Sequence, residues 1–192
     1  MMIRIQWRRL LPALALAAAL TLSWLCLRWS CCVCARAAYP RPYTAAVHTA
    51  AAEYAVPLPL IYAVARTESG FRTDAQSPAG AVGLMQLTPD TFAWVQSLTA
   101  EEESLPPASL TDPALNIRYG TMTLSLLLEE FGNVNTALAA YNAGRTRVRG
   151  WLDDPRYSRD SVTLHTIPYP ETRTYVQRVR AAEEIYKKLY NM

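Results

Sequence analysis

The chain has 192 residues, enough for one domain with its own core, and a formal net charge of +3. That basicity is local: the first 37 residues hold five arginines and no acid, leaving 14 basic against 16 acidic residues beyond them, a net of −2. No nucleic-acid footprint results, and with His48 and His165 as the only histidines neither a metal cluster nor a cofactor is expected.

Arg4, Arg8 and Arg9 precede an apolar run from Leu10 to Leu27. As a helix that run is about 27 Å long, just enough to span a bilayer. The arginines predict that the N-terminal end stays in the cytosol and the rest faces outward, on the periplasmic or cell-wall side. Two readings of residues 1–37 stand: a cleaved signal peptide with Ala35-Arg36-Ala37 as its small-residue site, or an uncleaved anchor. The anchor is preferred, because the run is long for a signal sequence and the candidate site lies well beyond it. All four cysteines (Cys26, Cys31, Cys32 and Cys34) fall in this leader, so the folded part has no disulfide framework.

Residues 36–42 (RAAYPRP) are expected as a proline-stiffened linker, the domain boundary being placed at 38–42. Beyond it, residues 43–192 predict one mostly helical domain, fold class α. Helices are expected over Tyr43–Ala55 and from about Pro59 to Glu68, the second ended by Gly70. Residues 70–83 are too rich in Gly, Pro, Ser and Asp to be regular. Thr88-Pro89 opens a helix to about Leu98, and Glu101–Pro107 is a charged loop. Asp112-Pro113 opens a long helix to Phe131, with Leu115, Tyr119, Met122 and Leu126 as its core stripe. A helix from Asn135 ends at Asn142-Ala143-Gly144, and a short one is expected over Val148–Leu152. Residues 153–166 are irregular apart from a candidate strand over Val162–Ile167. Pro170 opens a last amphipathic helix carrying Tyr175, Val176, Val179, Ala182, Ile185, Tyr186 and Leu189.

The most informative stretch is Glu68-Ser69, followed by Ser77 and then Gly83-Leu84-Met85-Gln86. It puts one carboxylic acid at the end of an apolar helix, next to a small-residue loop that ends in an amide. Most glycosidases use two carboxylates. Near Glu68 only Asp74 and Asp90 are candidates for the second, and neither spacing compels the role. A single acid suffices if the substrate supplies the nucleophile. Glu68 would protonate the glycosidic oxygen while the sugar's N-acetyl carbonyl steadies the charge growing at the anomeric carbon. The resulting carboxylate would take a proton from the sugar's C6 hydroxyl as that oxygen attacks, giving a 1,6-anhydro sugar without consuming water. Such an acid must hold its proton near neutral pH, so burial should raise its pKa.

Three further clusters follow in order: Ser77 to Gln86 (SPAGAVGLMQ), Ala140-Tyr141-Asn142-Ala143-Gly144 with Val148 and Trp151, and Ile167-Pro168-Tyr169-Pro170-Glu171-Thr172 with Tyr175-Val176. With Glu68-Ser69 they resemble the four motifs of the soluble-type lytic transglycosylase catalytic domain, glycoside hydrolase family 23. The similarity spans about residues 43–190 and implies a goose-type lysozyme-like fold. It implies Glu68 as general acid and base, with Ser77 and Gln86 bonding sugar or the reacting centre and Met85 lining the cleft. Tyr141 would reach Glu68 or the N-acetyl group, and Asn142 would support the floor. Glu171 would position groups near the scissile bond, and Tyr175 would help form the far wall.

The implied activity is cleavage of the β-1,4 bond between N-acetylmuramic acid and N-acetylglucosamine in peptidoglycan glycan strands, with membrane attachment through the leader. Two alternatives remain: a hydrolytic muramidase on the same fold, and a non-catalytic wall-binding module. The sequence carries no reading of oligomeric state.

Overall fold

The structure, a computed structural model, describes residues 7–99 and 105–192. Arg4 and the first four positions of the expected 101–107 loop lie outside the described residues. The chain divides at Pro40 into two units, residues 1–40 and 41–192.

The first unit holds one helix, α1 (Trp7–Ala38). Leu14–Ala38 has a mean hydropathy of 1.5 over 25 residues, and Leu16, Leu20, Trp24, Leu27 and Trp29 all stand exposed along it. At about 1.5 Å per residue this segment exceeds a roughly 30 Å hydrocarbon layer. The helix runs past Leu27 and takes in Arg36–Ala38, which the sequence had assigned to the linker. Alanine and arginine are good helix formers, and the break waits for Pro40, which disfavours a helical residue before it.

Among its described residues the second unit has helices joined by irregular segments with isolated bridges: α2 (Thr44–Tyr54), α3 (Leu58–Ser69), α4 (Pro89–Gln96), a 3-10 turn (Pro107–Thr111), α5 (Pro113–Phe131), α6 (Val134–Ala143), α7 (Arg145–Leu152) and α8 (Pro170–Tyr190). The starts follow the expected capping chemistry. The Thr88 hydroxyl accepts from the Thr91 N–H at 3.2 Å, and the Asp112 carboxylate accepts from the Leu115 N–H at 2.8 Å. Asn133 caps α6 at 2.9 and 3.1 Å, so that helix opens at Val134, one residue before the expected Asn135. α7 starts three residues before Val148, and the 3-10 turn had not been expected.

No strand forms among the described residues; the candidate over Val162–Ile167 is reduced to a bridge between Ser158 and Leu164. The Asp160 carboxylate accepts from the N–H groups of Val162 and Thr163 at 2.9 and 2.7 Å and from the Thr163 hydroxyl at 2.6 Å. Those donors are therefore turned into a local loop, away from any ladder.

α5 is the central helix, packed on α2, α4 and α6, while α3 lies along α8. Tyr62 of α3 stacks on Tyr186 of α8 with centroids 5.4 Å apart, and Phe92 of α4 meets Tyr119 of α5 edge-on at 4.8 Å. Of the expected α5 stripe, Tyr119 is buried, while Leu115, Met122 and Leu126 are partly buried against the α4 cluster.

The loop after α3 is locked onto α5 by one buried amide. Asn116 accepts from the Met85 N–H at 2.7 Å and donates to the carbonyls of Val82 and Leu110, both at 2.9 Å. The approach is close enough to demand glycine twice. At Gly83, where φ is +83°, a Cβ would lie 2.2 Å from the Asn116 amide nitrogen; at Gly120 it would lie 2.5 Å from the Met85 sulfur. Asn116→Leu keeps the volume but leaves the Met85 N–H and the Leu110 carbonyl unpaired, the Val82 carbonyl keeping the Leu87 N–H. It should cost about 3 kcal/mol in denaturant unfolding of the full chain in detergent micelles; a loss below about 1 kcal/mol would remove this amide from its structural role.

Candidate active site

Glu68 occupies the last turn of α3, a helix whose Leu60, Ile61, Tyr62, Ala63 and Val64 are almost wholly buried. Gly70, at φ +62°, stops the helix by donating its N–H to the Arg66 carbonyl. Ser69 is buried and ties the helix end to the following loop: its hydroxyl donates to the Leu84 carbonyl at 2.8 Å and accepts from the Arg72 N–H at 3.1 Å. Glu68 itself is half-buried. Removal of its carboxyl group from water raises its pKa to about 7, with the Tyr175 phenol pulling slightly the other way. No ion pair reaches the carboxyl among the described residues.

Tyr175, on α8, is 7% exposed, and its hydroxyl finds no regular hydrogen-bond partner among the described residues. The phenol nonetheless stands near enough to act on Glu68. Burial and the nearby carboxylate push its pKa well above the ordinary tyrosine range. The Tyr141 phenol, at the end of α6, is raised by the same two causes. Its hydroxyl donates to the Met85 carbonyl at 2.8 Å, so α6 is tied to the loop that Asn116 and Ser69 also hold.

Two hollows flank this group. The larger, about 450 Å³, is lined by Thr67, Glu68, Asn142, Pro170, Glu171, Thr174, Tyr175 and Arg178. The other, about 290 Å³, is lined by residues including Gln86, Thr88, Asp90, Trp94, Tyr141 and Arg145. Tyr141 and Asn142 are chain neighbours, so the end of α6 contributes to both.

Of the residues expected from the sequence, Glu68, Asn142, Glu171 and Tyr175 thus share one hollow, and Gln86 and Tyr141 line the other. The Gln86 amide nitrogen donates to the carbonyls of Ala75 and Gly83 at 3.0 and 2.9 Å, which shapes the loop. Ser77 lines neither hollow; its hydroxyl accepts from the Ala81 N–H at 3.1 Å and closes a turn. Met85 corrects its expectation outright. Its side chain is 0% exposed and packs on Gly120 and Thr121 of α5, so it cannot line a cleft. What Met85 offers the site is its backbone.

The candidate second carboxylates also fall apart. Asp74 is exposed and lines neither hollow, and Asp90 belongs to the one without Glu68. The carboxylate that does share the hollow of Glu68 is Glu171, exposed in the first turn of α8. Sequence reasoning missed Asn116, Trp94, Thr67, Thr174 and Arg178. A signal for the last two was available: residues 171, 174, 175 and 178 recur at i, i+3, i+4 and i+7, one face of a helix.

Comparison with known proteins bears on this arrangement. Residues 45–162 match the family model described as the transglycosylase SLT domain. The soluble lytic murein transglycosylase of Escherichia coli (strain K12) is 38% identical over 134 residues, covering 69% of this chain and 21% of that protein. Membrane-bound lytic murein transglycosylase C of Actinobacillus succinogenes is 31% identical over 172 residues, covering 78% of this chain and 48% of that protein. Among solved structures, an inactive glutamate-to-glutamine mutant of the lytic transglycosylase Slt from Pseudomonas aeruginosa aligns with a TM-score of 0.68 and 38% identity. That alignment covers 80% of this chain and 25% of the other. The chain therefore spans about a fifth of the length of the soluble relative it matches. The mostly helical, lysozyme-like fold class expected from the sequence stands, and with the family model covering more than half of its length the chain belongs to the transglycosylase SLT domain family.

Proposed function

We propose that the chain is a lytic murein transglycosylase, attached to the membrane by residues 1–37 and acting through residues 43–192 on the outer side. It cleaves the β-1,4 bond between N-acetylmuramic acid and N-acetylglucosamine in peptidoglycan. The observation that carries this reading is the Glu68 carboxyl group at the wall of a hollow, with a pKa raised to about 7 by burial and with no cation paired to it among the described residues, while the other carboxylate there, Glu171, stays exposed.

At neutral pH about half of such groups hold a proton, so Glu68 is a competent acid without a partner to recharge it. Its proton passes to the glycosidic oxygen as the C1–O4 bond breaks. The muramyl N-acetyl carbonyl shields the positive charge at C1. The Glu68 carboxylate then removes the C6 hydroxyl proton while O6 bonds to C1, closing the 1,6-anhydro ring and restoring the acid. No water is consumed. Tyr175 favours the carboxylate form in the middle of this cycle, and Tyr141 fixes the loop by donating to the Met85 carbonyl. Asn142 and Glu171 line the same hollow and are assigned to substrate contacts, as are Ser77 and Gln86 if their hydrogen bonds open toward sugar. The presence of Glu171 also supports the hydrolytic alternative, in which it would activate a water.

Product analysis decides between them. The full chain in detergent micelles, given purified sacculi, should release 1,6-anhydromuramyl products, and Glu68→Gln should lower turnover at least about 100-fold. Products one water heavier, with reducing muramic ends, would replace this mechanism by hydrolysis.

The reaction needs protonated Glu68, so kcat/KM should fall as pH rises through about 7. Tyr175→Phe removes the group that steadies the carboxylate, raises the Glu68 pKa further and should move that falling limb to higher pH. A limb that stays or moves down would take Tyr175 out of contact with the acid.

Stability carries the same signature. The folded pKa lies above the unfolded value, so wild-type stability should drop as pH climbs from about 4.5 to 7. Glu68→Gln has no such charge to bury. Its advantage over wild type should be near zero at pH 4 and reach on the order of 3 kcal/mol above pH 8. Parallel stability curves for the two proteins would show that the carboxyl group is solvated.

A further inference from the structure

Arg178 is the one cation lining the Glu68 hollow among the described residues. It is exposed, and it makes no hydrogen bond, ion pair or ring contact with any described residue. Arg118 pairs with Glu53, Arg145 and Arg149 with Glu130, Arg156 with Asp154, and Arg180 with Glu183. Arg159 is likewise exposed and without such a contact among the described residues but lines neither hollow, so what distinguishes Arg178 is its place at the wall of the Glu68 hollow. Glu171, seven residues earlier on the same face of α8, lies about 10 Å away along the helix and does not pair with it. Nor does Arg178 act as counter-ion to the buried acid, whose pKa answers to burial and Tyr175 alone. An unpaired guanidinium at the wall of a hollow is a ready partner for an external carboxylate, which it can bind through two parallel hydrogen bonds.

A glycan of N-acetylated sugars is uncharged except at the lactyl substituent on muramic acid. That substituent ends either in its own carboxylate or, when a peptide is attached, in the carboxylates of that peptide. We infer that Arg178 forms an anion subsite for a carboxylate carried on the muramyl lactyl substituent, and so makes the hollow discriminate between charged and uncharged strands. The inference rests on the reading of the hollow as a peptidoglycan-cleaving site.

Three strands test it with the full chain in detergent micelles: peptide-bearing strands, strands stripped of peptide, and stripped strands whose lactyl carboxylates have been converted to amides. Wild type should show kcat/KM about tenfold higher on a carboxylate-bearing strand than on the amidated one. Arg178→Met should bring that ratio to about one, and Arg178→Lys should keep part of it. The wild-type preference should shrink as salt is raised. Whichever of the first two strands shows the preference locates the carboxylate on the peptide or on the lactyl group. A ratio unchanged in Arg178→Met, an equal loss on all three strands, or no wild-type preference would each overturn the subsite. If wild type cleaves none of them, the lytic reading fails, and equilibrium binding of the same strands to wild type and Arg178→Met still decides the role of Arg178.

Discussion

The structure is organised around one unfavourable act, the burial of the Glu68 carboxyl group with no cation beside it. A carboxylate taken out of water without a partner keeps its proton instead, because desolvation penalises the charged form. The cost is on the order of 3 kcal/mol above neutral pH. The surrounding core can carry it. Val64 and Ile61, one and two turns back along α3, and Leu84 in the facing loop are all at 0% exposure, and each such side chain contributes about 2 kcal/mol. An apolar helix that ends in an acid thus supplies both the low-dielectric setting and the stability that the setting consumes.

Holding that acid in place is a task for backbone carbonyls and amides more than for charged side chains. The 83–87 loop is gripped from three directions: by Ser69 from α3, by Asn116 from α5 and by Tyr141 from α6. Each grip ends on a main-chain group of Leu84 or Met85. A loop of glycine and apolar residues has few side chains to offer as handles, so its own peptide groups serve, and all of them are neutral. Any cationic anchor in the same position would have drawn the proton off Glu68.

This also explains which parts of the site were legible in the sequence. Glu68 could be read because an acid closing an apolar helix, two residues before a helix-stopping Gly70, is a local pattern and because the clusters at 77–86, 140–144 and 167–176 follow it in order. The caps at Thr88 and Asp112 and the proline that opens α8 were readable for the same reason, since capping chemistry and a first-turn proline act within three residues. Met85 was misjudged because its neighbours in sequence are site residues while its neighbours in space are Gly120 and Thr121, 35 and 36 positions away. Asn116 was invisible because a polar residue in an amphipathic helix looks like a solvent-facing position. Only the fold shows three backbone partners around it. The strand expected over Val162–Ile167 failed on a different ground: a single aspartate two residues upstream captured the donors the strand needed.

The face that α8 turns toward the acid balances two opposed demands. A site that binds a polyanionic polymer gains from positive charge, which attracts and orients the substrate. A site built on a neutral carboxylic acid loses from positive charge, because a cation within about 5 Å lowers the acid's pKa and strips its proton at working pH. Helical spacing reconciles them. Tyr175 stands next to Glu68 and offers a neutral phenol, and Arg178 follows on the same face, about 4.5 Å further along the axis and on a longer side chain that reaches outward. Substituting arginine at position 174 or 175 would bring the same charge nearer to the acid, and the geometry that favours substrate binding would then work against proton donation.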